Sequence, residues 1–187
     1  MLFKSKVTFT TEPELFDIIP KPQAAQSNIP SWFKRLKNFQ HQIKGKEGSW
    51  PGRTIKRCPP FLDALRAGWL ITTPAEIEVI VNEDGSGVSW QSDFSRSVIE
   101  EHENIQIQGH PRLPRPPLKI MNYWHIRTPK GWSTLFVAPL NRESPYHEPI
   151  SGIVETDKYF EYINFPSFIK PQGTTFRIPA GYPVVQA

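Results

Sequence analysis

The chain has 187 residues, a hydrophobic fraction of 38% and a net charge of +4, which suits one domain or one domain with an N-terminal elaboration. A single cysteine, Cys58, excludes an intramolecular disulfide and a cysteine-based metal cluster and fits a reducing cytoplasm. No run approaches about eighteen apolar residues, and no apolar stretch follows Lys4 and Lys6, so neither a membrane helix nor a signal peptide is expected.

Lys6 to Thr11 alternates and is β-branched, which predicts a first strand. Pro13 to Ile29 is rich in proline and glutamine and reads as an extended connection. Ile29-Pro30-Ser31-Trp32-Phe33-Lys34-Arg35-Leu36 predicts a short helix with Ser31 as its cap and Trp32, Phe33 and Leu36 on one face. Gln40 to Arg57 is polar and basic and reads as a mobile loop. Pro59 to Ala67 predicts a second short helix, with proline tolerated in its first turn and Gly68 ending it. Cys58, next to Pro59-Pro60-Phe61-Leu62, is expected to be a buried, inert thiol.

Strands follow at Trp69–Thr73 and Ile77–Val81, then a turn from Asn82 to Gly87, then Val88-Ser89-Trp90. Val98 to Gln108 is ambiguous and ends in the alternating Ile105-Gln106-Ile107-Gln108. Pro111 to Pro117 is a rigid connection. Leu118 to Ile126 predicts one strand, Thr128 to Gly131 a turn, and Trp132 to Val137 the returning strand of a hairpin. Twenty prolines, about twice ordinary usage, fit short strands joined by turns. The basic loop marks the one candidate boundary, between an N-terminal extension at 1–57 and a β domain at 58–187.

Three blocks near the C-terminus carry the most information: Val137-Ala138-Pro139-Leu140-Asn141-Arg142, then Gly152-Ile153-Val154-Glu155-Thr156-Asp157-Lys158-Tyr159, then Phe176-Arg177-Ile178-Pro179-Ala180-Gly181-Tyr182-Pro183-Val184-Val185-Gln186. On a strand, Glu155, Asp157 and Tyr159 would share one face. Two carboxylates beside an aromatic ring could bind a sugar or base, hold Mg²⁺ or orient a water. In a turn, Asp157 would instead cap backbone amides. The five histidines (His41, His102, His110, His125 and His147) form no close metal-ligand pair, so no metal site is expected, and His125 reads as a packing residue. No P-loop, GxGxxG or GxSxG motif is present.

Two features suggest nucleic acid. Arg112, Arg115, Lys119 and Arg127 interleave with Tyr123, Trp124 and Trp132, a mixture that can bind single strands but better fits an ordinary half-buried sheet. Lys34, Arg35, Lys37, Lys44, Lys46, Arg53, Lys56 and Arg57 face only Glu47 in the segment they span. That segment is either a solvated face or a patch for phosphate, nucleic acid or an acidic partner.

The three blocks, in their order and spacing, resemble the trimeric dUTPase and dCTP deaminase superfamily, whose fold is a β-clip. Ala138-Pro139 is similar to the start of that family's Ala-Pro-Arg-Ser-Gly block, with Leu140-Asn141-Arg142 replacing Arg-Ser-Gly. Glu155 stands where the family has its water-activating Asp. Ala67-Gly68-Trp69-Leu70-Ile71 resembles the family's Ala-Gly-Tyr-Asp-Leu with the acid lost. Ile29-Pro30-Ser31-Trp32, Lys56-Arg57-Cys58-Pro59-Pro60, Ala67-Gly68-Trp69, Pro139-Leu140-Asn141 and Ile178-Pro179-Ala180-Gly181-Tyr182-Pro183, taken with the middle block, resemble an uncharacterised family of bacteria and tailed phages.

These resemblances imply a mainly β, β-clip-like antiparallel domain with short helices in an N-terminal extension, assembled as a homo-oligomer, with a trimer favoured. The changed phosphate-gripping segment, and a sequence that stops before the family's C-terminal arm, imply a non-catalytic binding or structural protein that is phage-associated. Its location would be the cytoplasm or a virion, with a phage or host protein as partner and no cofactor. The alternative is a nucleotide-binding or nucleotide-hydrolysing enzyme using Asn141, Arg142, Glu155, Asp157 and Tyr159, with Glu155 as base and Mg²⁺ as its metal. A third reading is nucleic-acid binding through the basic segment.

Overall fold

The computed structural model describes residues 6–45, 48–84, 87–112, 117–170 and 173–187. Lys46, Glu47, Arg115 and the Gly85-Ser86 centre of the expected turn lie outside the described residues. Among those described, the chain is mainly β with two short α-helices, and every strand pair is antiparallel.

In chain order the elements are β1 (Thr8–Thr10), β2 (Gln23–Ala24), α1 (Ser31–Arg35), β3 (Phe39–Gly45), β4 (Gly48–Arg53), α2 (Pro59–Arg66), β5 (Trp69–Thr72), β6 (Ile77–Val81), β7 (Val88–Gln91) and β8 (Ile99–Glu101). They continue with β9 (Leu118–Ile120), β10 (His125–Arg127), β11 (Thr134–Phe136), β12 (His147–Pro149), β13 (Gly152–Val154), β14 (Phe165–Ile169), β15 (Thr174–Ile178) and β16 (Pro183–Gln186). The strands assemble in the orders β12-β14-β9-β8, β15-β6-β7, β16-β5-β2, β1-β10, β11-β13 and β3-β4. The N-terminal residues are woven into the β region, since β1 pairs with β10 and β2 with β5.

Burial explains the pairing. Ile77, Val79 and Val81 of β6 are buried at period two and pack with Val98, Leu118 and Ile178. A second cluster joins Ile71 and Val185 to Ile120, Ile126, Phe136 and Phe165. Each cluster draws on distant parts of the chain, so neither half of the sequence closes a core alone.

Several expectations are corrected. Gln40 to Arg57 is no loop but the β3–β4 hairpin followed by a 3-10 turn. Its polar sequence hid the strands because they lean on each other and on no other strand. Leu118 to Ile126 is not one strand. Asn122 breaks it: its buried amide donates to the carbonyls of Trp124 (2.8 Å) and Ile163 (3.2 Å), and its Oδ1 accepts from the Trp124 N–H (3.1 Å). That local loop competes successfully with the ladder. The expected hairpin therefore does not form, and β10 pairs with β1 while β11 pairs with β13.

The alternating Ile105 to Gln108 stretch forms a 3-10 turn over Asn104–Ile107, with Ile105 exposed. Pro13 to Ile29 is pinned by buried Leu15 and Ile19, which pack with Tyr123 and Trp124. Ser31 is the first helical residue of α1, and Pro30 takes the cap position without a side-chain bond. Cys58 is exposed rather than buried, at the junction between the 3-10 turn and α2.

Gly68 ends α2 as expected, with φ +60°. A Cβ built there would sit 1.7 Å from the Ala187 carbonyl oxygen, which itself accepts the Trp69 N–H at 2.9 Å. Gly68→Ala therefore combines left-handed strain with the loss of that strand pairing. Chemical denaturation is expected to show a loss of about 2 kcal/mol relative to wild type.

Candidate functional site

The first and third C-terminal blocks meet at the end of α2. Helices leave their last carbonyls without intrahelical partners, and α2 and the 3-10 turn at Ala25–Asn28 end close together. Arg142 and Gln186 fill that gap. One Nη of Arg142 donates to the carbonyls of Leu65 (2.6 Å), Ala25 (3.2 Å) and Asn28 (3.3 Å), and the other to the Leu140 carbonyl (3.3 Å) and Gln186 Oε1 (3.4 Å). Gln186 Nε2 donates to the carbonyls of Ala64 (2.9 Å) and Ala67 (2.6 Å), while its Oε1 accepts the Leu140 N–H (2.9 Å). A fork of fixed donors suits several convergent carbonyls better than an ammonium does.

Arg142 has no carboxylate partner among the described residues, and its Nε is buried without a hydrogen bond. Burial alone moves its pKa downward. Asn141 sits at φ +55°, a conformation asparagine tolerates better than most residues, and donates to the Phe61 carbonyl at 3.2 Å. Both residues border a cleft of about 470 Å³ that Trp32, Phe61, Pro139 and Glu143 complete.

The middle block behaves as a turn. β13 stops at Val154, and residues 156–158 form a turn, so Glu155, Asp157 and Tyr159 do not continue one strand face. Glu155 pairs with Lys158 at 2.7 Å. Asp157 accepts the Gly131 N–H at 2.7 Å, the backbone-capping role available to it in a turn. Thr156 is fully buried and shares hydroxyl hydrogen bonds with Thr128 (2.8 Å) and Thr134 (2.7 Å). The Tyr159 carbonyl accepts from Arg127 at 2.8 Å, and the Arg127 guanidinium lies over the Phe160 ring at 3.6 Å. No hydrogen bond or ion pair among the described residues joins this turn to Asn141 or Arg142. Asp157 and Thr156 thus tie this turn to its neighbours, while Glu155 keeps an exposed pair with Lys158.

The aromatic and basic mixture after Pro111 is divided: Trp132 is exposed just before β11, while Tyr123 and Trp124 sit between β9 and β10. Tyr123 and Trp124 are buried, Arg112 pairs with Glu148 at 2.6 Å and Lys119 with Glu100 at 3.2 Å. His125 stacks on Tyr162 with centroids 4.2 Å apart, as expected of a packing residue. The basic segment is different. Lys34, Arg35, Lys37, Arg53 and Arg57 are exposed at α1 and the root of the β3–β4 hairpin, and Lys56, half-buried, donates to the Lys34 carbonyl at 2.8 Å. The backbone of Lys44 lies in β3.

Two features had no signal in the sequence. One is the network of Glu12, Arg96 and Tyr162: Arg96 donates to both Glu12 oxygens, one at 2.8 Å, and the Tyr162 hydroxyl donates to Glu12 at 3.0 Å. Hydrogen bonding to Arg96 holds the Glu12 carboxyl down at about 2, and burial pushes the Tyr162 hydroxyl up to about 12. The other is His147, 1% exposed, with neither ring nitrogen hydrogen-bonded among the described residues. Burial lowers its pKa to about 4, and the positive charge of Lys170 adds to this.

No group of three or more His, Cys, Asp or Glu side chains placed to hold a metal is gathered among the described residues. None of their helices is long and apolar enough to cross a membrane. Fold and site together define a mainly β chain whose most motif-like residues cap helix ends. In comparisons with known proteins, no family model, no curated protein and no solved structure matches this chain.

Proposed function

We propose that the protein is a non-catalytic binding or structural protein, phage-associated, on a β-clip-like scaffold. The observation that carries this reading is the use made of the candidate ligand residues. The Arg142 guanidinium is engaged by four main-chain carbonyls, Asp157 by a backbone amide and Glu155 by Lys158. A phosphate would have to displace all of Arg142's partners, and each buried carbonyl left unpaired costs about 1–3 kcal/mol. A general base needs a carboxylate free to meet a water, whereas Glu155 carries a cation on one oxygen.

Assembly with copies of itself, a trimer in this reading, has apolar surface available to it. Leu135 and Ile153 are cross-strand partners on the β11–β13 ribbon, and both point outward. The uncharacterised bacterial and phage family, which the Ile29-Pro30-Ser31-Trp32 and Lys56-Arg57-Cys58-Pro59-Pro60 motifs resemble, supplies the phage association.

A thermal-shift series with dUTP, dCTP and dUMP, each with and without Mg²⁺, tests the reading. A ligand at a hundred times its dissociation constant adds about 2.7 kcal/mol to stability, so true binding is easily seen. The expected result is no shift with any of them. A shift that vanishes in Glu155→Gln would replace this reading with the nucleotide enzyme.

A further inference from the structure

The chain's net positive charge resides in one place. Between Lys34 and Arg57 eight cations face Glu47 alone, a local +7, so the remainder of a +4 chain carries −3. The described part of this segment is α1, the β3–β4 ribbon and the 3-10 turn after it. None of Lys34, Arg35, Lys37, Arg53, Lys56 and Arg57 forms a salt bridge among the described residues. Elsewhere Lys21, Arg96, Arg112, Lys119, Lys158 and Arg177 are paired to carboxylates, and Arg127, Arg142 and Lys170 donate to main-chain carbonyls, while Lys6, Arg66 and Lys130 form no salt bridge among the described residues.

The concentrated charge is also held in place. Thr54 cinches the root of the ribbon, its N–H donating to the Asn38 carbonyl (3.1 Å) and its hydroxyl to that of Lys37 (2.5 Å), while it accepts the Lys56 N–H (3.3 Å). Like charges gathered in one segment repel, which is costly unless a polyanion receives them.

Aromatic rings lie among these cations. Trp32 on α1 is 44% exposed and Phe39 at the start of β3 is 43% exposed. Trp32 is braced edge-on by Phe33 and Phe61, at 5.6 and 6.1 Å between centroids. The Arg57 guanidinium lies 5.5 Å from the Phe39 centroid, so cation and ring share one face. That sharing suits a base stacked beside its own phosphate. A membrane-surface element instead separates its apolar face from its charged face.

We propose that α1 and the β3–β4 ribbon form a binding surface for single-stranded nucleic acid. The cations take phosphates, and Trp32 and Phe39 stack bases. Trp32 also borders the Arg142 cleft, but Phe39 and the cations of this surface do not line it, and Glu155 and Asp157 lie elsewhere, so the nucleotide series above and the charge-reversal arm below fail independently.

The test is fluorescence anisotropy of the full chain with a labelled oligothymidylate, a matched duplex, poly-glutamate and anionic phospholipid vesicles, across a salt series. The single strand is expected to bind most tightly, with log K falling against log salt by about 0.7 for each phosphate neutralised. Lys34→Glu/Arg53→Glu should flatten that slope by about 1.4. Lys6→Glu/Lys130→Glu, which changes net charge equally on the body of the molecule, should leave the slope unchanged. Trp32→Ala and Phe39→Ala should each weaken binding about ten-fold at constant salt, with Trp32→Phe retaining most of the affinity, and unfolding curves of each variant confirm the fold. The proposal is overturned by absence of binding at low salt or by equal loss in both charge-reversal variants. Tighter binding to duplex, poly-glutamate or vesicles than to the single strand would overturn it equally.

Discussion

Arg142→Ala is expected to be the most destabilising single substitution at the C-terminal blocks, by about 3 kcal/mol. In a chain of this length that lowers the melting temperature by roughly 10 °C. The physical reason is that the guanidinium satisfies the carbonyls of Leu65, Ala25, Asn28 and Leu140 together. The end of α2 and the 3-10 turn at Ala25–Asn28 would both lose their caps, and the partly enclosed carbonyls would lack substitutes. Arg142→Lys should recover only a fraction, because one ammonium cannot span the same set of acceptors. Calorimetric melts of the two variants beside wild type give the comparison directly. A residue held in reserve for a phosphate would instead be replaced by alanine with little loss of stability.

Acid should destabilise the protein in two separable stages. His147 titrates at about 4 in the folded state against an ordinary 6.5, so the unfolded chain binds its proton more readily between those values. Its contribution to stability is complete above pH 6.5 and is lost as pH falls toward 4. The gap corresponds to about 3 kcal/mol. Glu12 follows at lower pH. Its folded value of about 2 lies below the ordinary 4.5, so the stability it contributes is present above 4.5 and lost as pH falls further. Urea melts at a series of pH values should show the first stage in wild type and lose it in His147→Leu, while Glu12→Gln leaves it intact. A wild-type profile flat between pH 6.5 and 4.5 would refute the buried neutral imidazole.

Strands whose apolar residues alternate or run together were legible in the sequence. β6 matches its expected bounds at Ile77 and Val81, and Gly68 ends α2 as expected because a positive φ leaves few other choices there. What stayed hidden depends on partners far along the chain. Asn122 was the one local hint of a break in Leu118–Ile126, through its bonds to Trp124 two residues on, but its third bond, to the carbonyl of Ile163, depends on a distant segment. Glu12 and Arg96 stand 84 residues apart. His147 looks polar in sequence and is enclosed where β12 pairs with β14 and Tyr182 packs edge-on against its ring. The β3–β4 ribbon was missed for the reverse reason, that its cross-strand bonds need no buried face to declare them.

The candidate site was legible as a set of positions but not as a set of roles. Asn141, Arg142 and Gln186 stood out by motif; Arg142 and Gln186 make the hydrogen bonds that the carbonyl-rich end of α2 demands, and Asn141 bonds the Phe61 carbonyl near its start. Glu155 and Asp157 stood out as carboxylates two apart, a spacing whose meaning changes when the strand gives way to a turn after Val154.

The most direct measurement is a double-mutant cycle on Arg142 and Gln186, scored by equilibrium unfolding without any ligand. Arg142→Met and Gln186→Met remove the two side chains that jointly cap α2 and that touch each other at 3.4 Å. If both serve the fold, each single variant is strongly destabilised. The double variant then loses less than the two combined, with a coupling of about 1–3 kcal/mol. Near-wild-type stability in Arg142→Met, or strict additivity, would contradict a shared structural role and return Arg142 to the candidates for a ligand.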